Sequence, residues 1–170
     1  PTGVTFNNDG TKMFVVGQAG DDVNEYVLTT GFDVSTASYS QVFSVSAEGA
    51  NPVDIAFNTD GTKMFILSAS GQEVNEYALT TGFDVSTASW STRFIVSSQV
   101  SSVAGLAFST SGKKMFVVDI GSDAVFAYDL STAFSVSTAS YNSETINVSA
   151  QEATPNGIAF NNTGSKMFIV

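Results

Sequence analysis

The sequence contains no cysteine and no histidine. Without cysteine there is no disulfide framework and no thiol chemistry, and the redox compartment is not written in the chain. Without histidine, the common zinc sites and imidazole general bases are excluded within these residues. Cations are scarce too: 6 Lys and Arg face 16 Asp and Glu, for a net charge of -10. An acidic surface repels phosphate backbones and anionic lipid, so neither nucleic acid nor a membrane is an expected partner. No apolar run approaches transmembrane length, and no segment combines helical periodicity with capping signals. The opening residues, PTGVTF, include no Met and no charged-then-apolar leader, so a processed, excised or incomplete chain is expected.

What the sequence does have is repetition. FNNDGTKMFVV from Phe6 and FNTDGTKMFIL from Phe57 are near copies, followed by FSTSGKKMFVV from Phe108 and FNNTGSKMFIV from Phe160. Gly10, Gly61, Gly112 and Gly164 are spaced by 51, 51 and 52 residues. Tyr26, Tyr77 and Tyr128 keep the same step, as do Phe32, Phe83 and Phe134. Apolar residues make up 43% of the chain, including 14 Phe, which is enough for a packed core and against disorder. Four of the six cations, Lys12, Lys63, Lys114 and Lys166, occupy one repeat position and form no basic patch.

Each unit reads as four short strands, exemplified by DIAF, KMFIL, VNEYAL and TRFIV. The second is continuously apolar, as expected where both faces of a sheet are covered. The DG and SG steps supply a Gly able to take positive φ, predicting a tight hairpin between the first two strands. Asp9 and Asp60 are turn residues on this reading, because the alternating Asp/Asn pattern of an EF-hand is missing. In the connector TTGFDVSTAS, Asp33 and Asp84 suit an Asx-turn with Phe as a buried anchor. Glu25 and Glu76 lie on a strand and are expected to pair with neighbouring polar side chains. The sequons at Asn147 and Asn161 are frequent by chance in this composition.

A four-stranded antiparallel unit repeated at about 50 residues is the pattern of a β-propeller blade. PNGIAFNNTGSKMFIV, and PVDIAFNTDGTKMFIL followed by VNEYALTT, resemble the YVTN/NHL-type propeller repeat. The resemblance covers essentially the whole chain and implies an all-β propeller whose members include enzymes, adhesins and scaffolds. The long TTGFDVSTAS connector departs from the family's shorter turn, and no catalytic motif of its lactonase-like members is recognisable. The expected division of residues 1–170 is blade 1 at about 3–53, blade 2 at 54–104, blade 3 at 105–156 and a partial blade 4 at 157–170. A β-trefoil, the rival fold, closes at three units and leaves no place for a fourth copy. Three blades and a part make an open arc, either a piece of a longer propeller or a half-ring that self-associates as a homodimer.

In such a meander the stereotyped turns share one end, and the segments that differ between units share the other. Diverged loops are where recognition is usually placed, so the second end is the candidate binding face. It collects Asp21, Asp22, Glu48, Asp54, Glu73, Asp119, Asp123 and Glu152. Asp54 stands where the other units have Gly3, Gly105 and Gly157, and Asp119 replaces Gly17 and Ser68. The acidic set reads either as a solvated rim or as a hard-cation site, with Ca²⁺ held through Asp54 and Asp119.

The function expected from these features is non-catalytic: an interaction or scaffold module of a larger secreted, surface or virion-associated protein, binding protein or carbohydrate. An extracellular or cell-surface setting is favoured. The alternative is a lactonase-like propeller enzyme with a metal or carboxylates in the channel, partly in blades outside this chain.

Overall fold

The computed structural model describes all 170 residues, and strands dominate it. The first sheet contains β1 (Gly3–Phe6), β2 (Lys12–Gly17), β3 (Asp22–Leu28) and β4 (Ala37–Ser44). The second contains β5 (Pro52–Phe57), β6 (Lys63–Ser68), β7 (Glu73–Leu79) and β8 (Ala88–Ile95). The third contains β9 (Val103–Phe108), β10 (Lys114–Asp119), β11 (Ala124–Leu130) and β12 (Ala139–Asn147). A hairpin of β13 (Ile158–Phe160) and β14 (Met167–Ile169) begins a fourth. Every pairing joins sequence neighbours and is antiparallel. The innermost strands β1, β5, β9 and β13 lie side by side around a central channel.

The apolar second strands explain how the sheets stack. Successive side chains on a strand point to opposite faces, so Met64 and Ile66 face the first sheet while Phe65 and Leu67 face the third. All four are fully buried. The first junction packs Phe14, Val16 and Val23 against Ile55, Met64 and Tyr77. The second repeats it with Phe65, Leu67 and Val74 against Leu106, Met115 and Tyr128. Each outer strand is bulged in register opposite the Tyr26, Tyr77 and Tyr128 region, which interrupts an otherwise open sheet edge.

A polar latch joins neighbouring sheets. Lys12 Nζ meets Glu25 Oε1 at 2.8 Å and donates to the carbonyl of Phe83 in the next sheet at 2.7 Å. Glu25 Oε2 accepts from the Val85 N–H at 3.1 Å and from Gln41 Nε2 at 2.8 Å. The second junction repeats this: Lys63 Nζ to Glu76 Oε1 at 2.7 Å and to the Phe134 carbonyl at 2.7 Å, with Glu76 Oε2 accepting from the Val136 N–H at 2.9 Å. Glu25 and Glu76 are therefore buried; they pair with neighbouring polar side chains and also reach across to the next sheet. The third unit lacks the latch. Ala127 occupies the glutamate position, and Lys114 turns to Asp129 at 3.0 Å and Glu144 at 2.7 Å on its own sheet.

The stereotyped end is built by two turns that lean on each other. Asp9 and Asp60 accept from the N–H and hydroxyl of Thr11 and Thr62, which holds both carboxyls below the usual range. Asp33 and Asp84 cap the 3₁₀ turns Val34–Thr36 and Val85–Thr87 through Ser35 and Ser86, as an Asx-turn requires. Gly10, Gly61, Gly112 and Gly164 all have φ near +70°, and in the first three units a Phe ring covers the Gly. Phe83 and Phe134 are partly buried anchors that reach the Phe14 and Phe65 rings of the preceding sheet, whereas Phe32 packs on Phe6 of its own sheet and is 61% exposed.

That geometry separates two costs. A Cβ on Gly61 would overlap the Phe83 ring, whereas one on Gly164 meets nothing within 4 Å. Both substitutions strain a positive φ. In urea unfolding, Gly164→Ala is expected to cost about 1 kcal/mol, and Gly61→Ala about 2 kcal/mol more through displacement of the anchor. Equal losses at both sites would contradict the anchor's role.

Candidate functional site

At the end of the channel opposite the stereotyped turns, the β2–β3, β6–β7 and β10–β11 turns meet the segments that lead from one sheet to the next. Asp21, Gln72 and Asp123 close the turns with φ between 46° and 50°. Their carbonyls accept from the N–H groups of Val45, Val96 and Val148 at 2.8, 2.8 and 2.7 Å, tying each turn to the start of the following segment. Side chains then differ from unit to unit. Ser70 donates to the Ala50 carbonyl at 2.8 Å, and Gln72 to the Ser101 carbonyl at 2.6 Å.

The acidic residues marked by sequence each brace a particular element. Asp21 Oδ1 accepts from the Asn51 N–H at 2.7 Å, and Asp22 Oδ1 from Asn24 Nδ2 at 2.7 Å. Glu73 is buried and held by Arg93 at 3.3 Å and by Asn75 Nδ2 at 3.1 Å. Glu48 Oε2 accepts from the Tyr77 hydroxyl at 3.4 Å, and Glu152 from the Thr154 N–H at 3.1 Å. Asp123 contributes its backbone turn.

Asp119 is the most heavily engaged. Its Oδ1 accepts from the N–H groups of Ser101 and Ser102 at 3.0 and 2.6 Å, and its Oδ2 from the Ser122 hydroxyl at 2.7 Å. Burial pushes the carboxyl up, but these bonds outweigh it and hold the group below its ordinary value. Asp119 thus ties the end of β10 to the segment preceding β9.

Asp54 sits at the channel, on β5. Its Oδ1 accepts from the Ile55 N–H at 2.8 Å, and its Oδ2 crosses to the Leu106 N–H on β9 at 2.7 Å. The neighbouring inner strand must be Gly3 there, because a Cβ would stand 2.8 Å from Asp54 Oδ1 and 3.0 Å from its Cα. Burial raises the carboxyl to about 6 against the opposing effect of these two bonds. Asp54 and Asp119 are thus engaged separately, each through backbone amides, and no three carboxylates are grouped so as to hold a metal ion.

Sequence reasoning did not reach the concavities. At this end a 450 Å³ hollow opens over the channel, with Thr2, Gln18, Ser102 and Asn156 offering hydroxyl and amide groups above Val53 and Ile120. No residue of its lining is charged. The opposite mouth is smaller, 230 Å³, and its wall includes Phe57, Phe83, Phe108 and Phe134. Sequence marked the acids because they break the repeat; the neutral residues that line the hollow carry no such signal.

No protein-family model and no curated protein matches the chain. Solved structures do. A candidate 6-phosphogluconolactonase from Bacteroides fragilis NCTC 9343 aligns with a TM-score of 0.67 at 15% identity, over 100% of this chain and 50% of that one. Hydrazine synthase of Kuenenia stuttgartiensis gives 0.67 at 17% identity, over 99% and 41%. The β-propeller domain of Cps50 (Swd1) from Myceliophteria thermophila gives 0.59 at 9%, over 92% and 45%. The chain spans about half the length of the solved structures it matches. What is shared at these identities is the fold, a β-propeller.

The raised carboxyl of Asp54 has a signed consequence. A carboxyl whose folded pKa lies above its unfolded value of 3.8 contributes stability that is present below that value and lost as pH rises through about 6. Unfolding of wild type and Asp54→Asn should therefore diverge between pH 4 and pH 7, the variant gaining on the order of 2 kcal/mol relative to wild type. A stability difference independent of pH would contradict this environment.

Proposed function

We propose that the chain is a β-propeller interaction and scaffold module with no catalytic machinery of its own. On this reading it belongs to a larger secreted, surface or virion-associated protein and binds protein or carbohydrate through the diverged end of its channel. The observation that carries the proposal is the uncharged 450 Å³ hollow at that end, within the size range of small-molecule sites. Its hydroxyl and amide groups both donate and accept, which suits neutral partners rich in hydroxyls or peptide groups. Asp21, Asp22, Asp54, Glu73, Asp119 and Asp123 serve the surface by fixing its loops beforehand, which reduces the entropy lost on binding. The repeat's resemblance to the YVTN/NHL type agrees with such a role.

A lactonase-like enzyme is the competing reading. It draws on the likeness to candidate 6-phosphogluconolactonases from Bacteroides fragilis and Bacteroides uniformis, and on Asp54, a channel carboxyl whose value near 6 suits a general base. Ca²⁺ is the one cofactor proposed, with Asp54 or Asp119 as its carboxylate donor beside carbonyl oxygens. Calorimetric heat on adding Ca²⁺ that disappears in Asp54→Ala would support it.

Glycan and peptide arrays probed with wild type, Gln18→Arg, Ser102→Arg and Asn8→Arg test the main reading. Ligands should be lost at least about tenfold with the first two variants and retained with Asn8→Arg, which lies at the other mouth. Binding indifferent to both mouth variants sinks the proposal, and lactone hydrolysis abolished by Asp54→Asn replaces it with the enzymatic reading.

A further inference from the structure

The outer rim between the first and second sheets carries side chains that the scaffold does not use elsewhere. Trp90, the single tryptophan of the chain, lies on β8 opposite Tyr77, and Arg93 lies opposite Asn75. Paired residues of an antiparallel ladder share a face, so all four point the way Tyr77 does. Tyr77 packs edge-on against Phe43 of the first sheet at 5.6 Å and donates to Glu48 at 3.4 Å. The rim therefore belongs to an internal junction, bordered by two sheets that each have all four strands. Trp90 nevertheless stays 47% exposed, and the Arg93 side chain 51%.

A series of polar contacts fixes both groups. Trp90 Nε1 donates to Asn75 Oδ1 at 3.2 Å, Asn75 Nδ2 donates to Glu73 Oε1 at 3.1 Å, and Arg93 Nη1 meets Glu73 Oε2 at 3.3 Å. Asn75 and Glu73 are buried, so an exposed indole and an exposed guanidinium are tied to a rigid support. The next junction shows that holding an outer aromatic does not require this. There the counterparts are Ala124, Phe126, Tyr141 and Thr145. The Tyr141 ring lies 6.0 Å from Phe126 and 5.7 Å from Tyr128, and its hydroxyl bonds that of Thr145 at 2.6 Å. Burying a carboxylate and an amide is costly. In the second sheet that cost goes into presenting two surface groups.

We propose that Trp90 and Arg93 form a binding site for a neutral pyranose ring, separate from the hollow at the diverged end. A pyranose has an apolar C–H face and a rim of hydroxyls. The C–H face covers the indole, while guanidinium N–H groups not turned to Glu73 donate to the ring's hydroxyls. Tryptophan and arginine are the side chains that carry most energy where few residues make a contact. Two observations favour a sugar over a protein. The neighbours on β8 are Ser89, Ser91 and Thr92, whose hydroxyls suit a sugar and build no apolar interface core. Glu73 already balances the guanidinium charge, so an anionic saccharide would meet only the chain's net charge of -10.

The single tryptophan makes the site its own reporter. Fluorescence titration of the 170-residue chain with maltotriose, cellotriose, mannotriose and triacetylchitotriose should give a saturable change in Trp90 emission with at least one of them. Arg93→Ala should weaken that response at least about tenfold, and trigalacturonic acid should bind at least about tenfold more weakly than the neutral sugar. Arg93→Lys keeps a cation for Glu73 but lacks the fork of donors, and should show the same loss should Arg93→Ala fail to fold by circular dichroism. Gln18→Arg, at the channel mouth, should leave the response unaltered, so this site and the proposed channel site stand or fall separately. The proposal is overturned by the absence of a saturable change with every neutral sugar, or by arginine variants that respond as wild type does. A response abolished by Gln18→Arg, tightest with trigalacturonic acid, or given by peptides alone overturns it too.

Discussion

The structure depends on a pair of charges that neighbouring sheets share. A carboxylate taken out of water is tolerable only when its oxygens are fully partnered. Glu25 and Glu76 meet that demand with a lysine from their own sheet and a backbone N–H from the next. The lysine then spends a second hydrogen on the same connector's Phe carbonyl. Apolar faces alone would stack over a range of offsets. The latch selects one, because donor and acceptor lie two residues apart on a connector whose shape is set by its Asx-turn and by a Phe ring seated on a glycine.

The departures from the repeat are informative in the same terms. With Ala127 in the third unit, no acceptor awaits a following connector, and the lysine is reassigned to Asp129 and Glu144, both well exposed. Contact between the third sheet and the β13–β14 hairpin is then mainly apolar, with the Phe116 and Phe160 rings 4.8 Å apart. The second junction has instead gained a bond at the channel, from the Leu106 N–H to Asp54. Buried Tyr128 departs differently: its hydroxyl has no partner, whereas Tyr77 finds Glu48, whose counterpart one repeat on is Gln99.

Much of the architecture was legible in the sequence because it is periodic. The step between Gly10, Gly61 and Gly112, the doubly apolar KMF strand and the turn chemistry of Asp9 and Asp33 each state a local rule, and the rules agree with one fold. The channel acids were legible only as exceptions. Asp54 and Asp119 stood out by replacing glycine or serine, but what they touch depends on which strands the arc brings together, at separations of 52 and 17 residues. The latch was half visible: Lys12 and Glu25 recur together at one period, yet nothing local says that Glu25 reaches Val85, 60 residues on. The hollow at the diverged end was not legible, being formed by neutral residues from several loops that share no pattern.

The same stitched scaffold underlies the proposed binding role, since loops fixed to rigid sheets keep a recognition surface in place. A double-mutant cycle on Lys63 and Glu76, with Lys63→Met, Glu76→Met and the pair compared by urea unfolding, tests the shared-charge latch most directly. The account predicts a coupling of about 2 kcal/mol, with the Val136 amide losing its protection from hydrogen exchange in both single variants. Independent, additive effects with the Val136 amide still protected would contradict it.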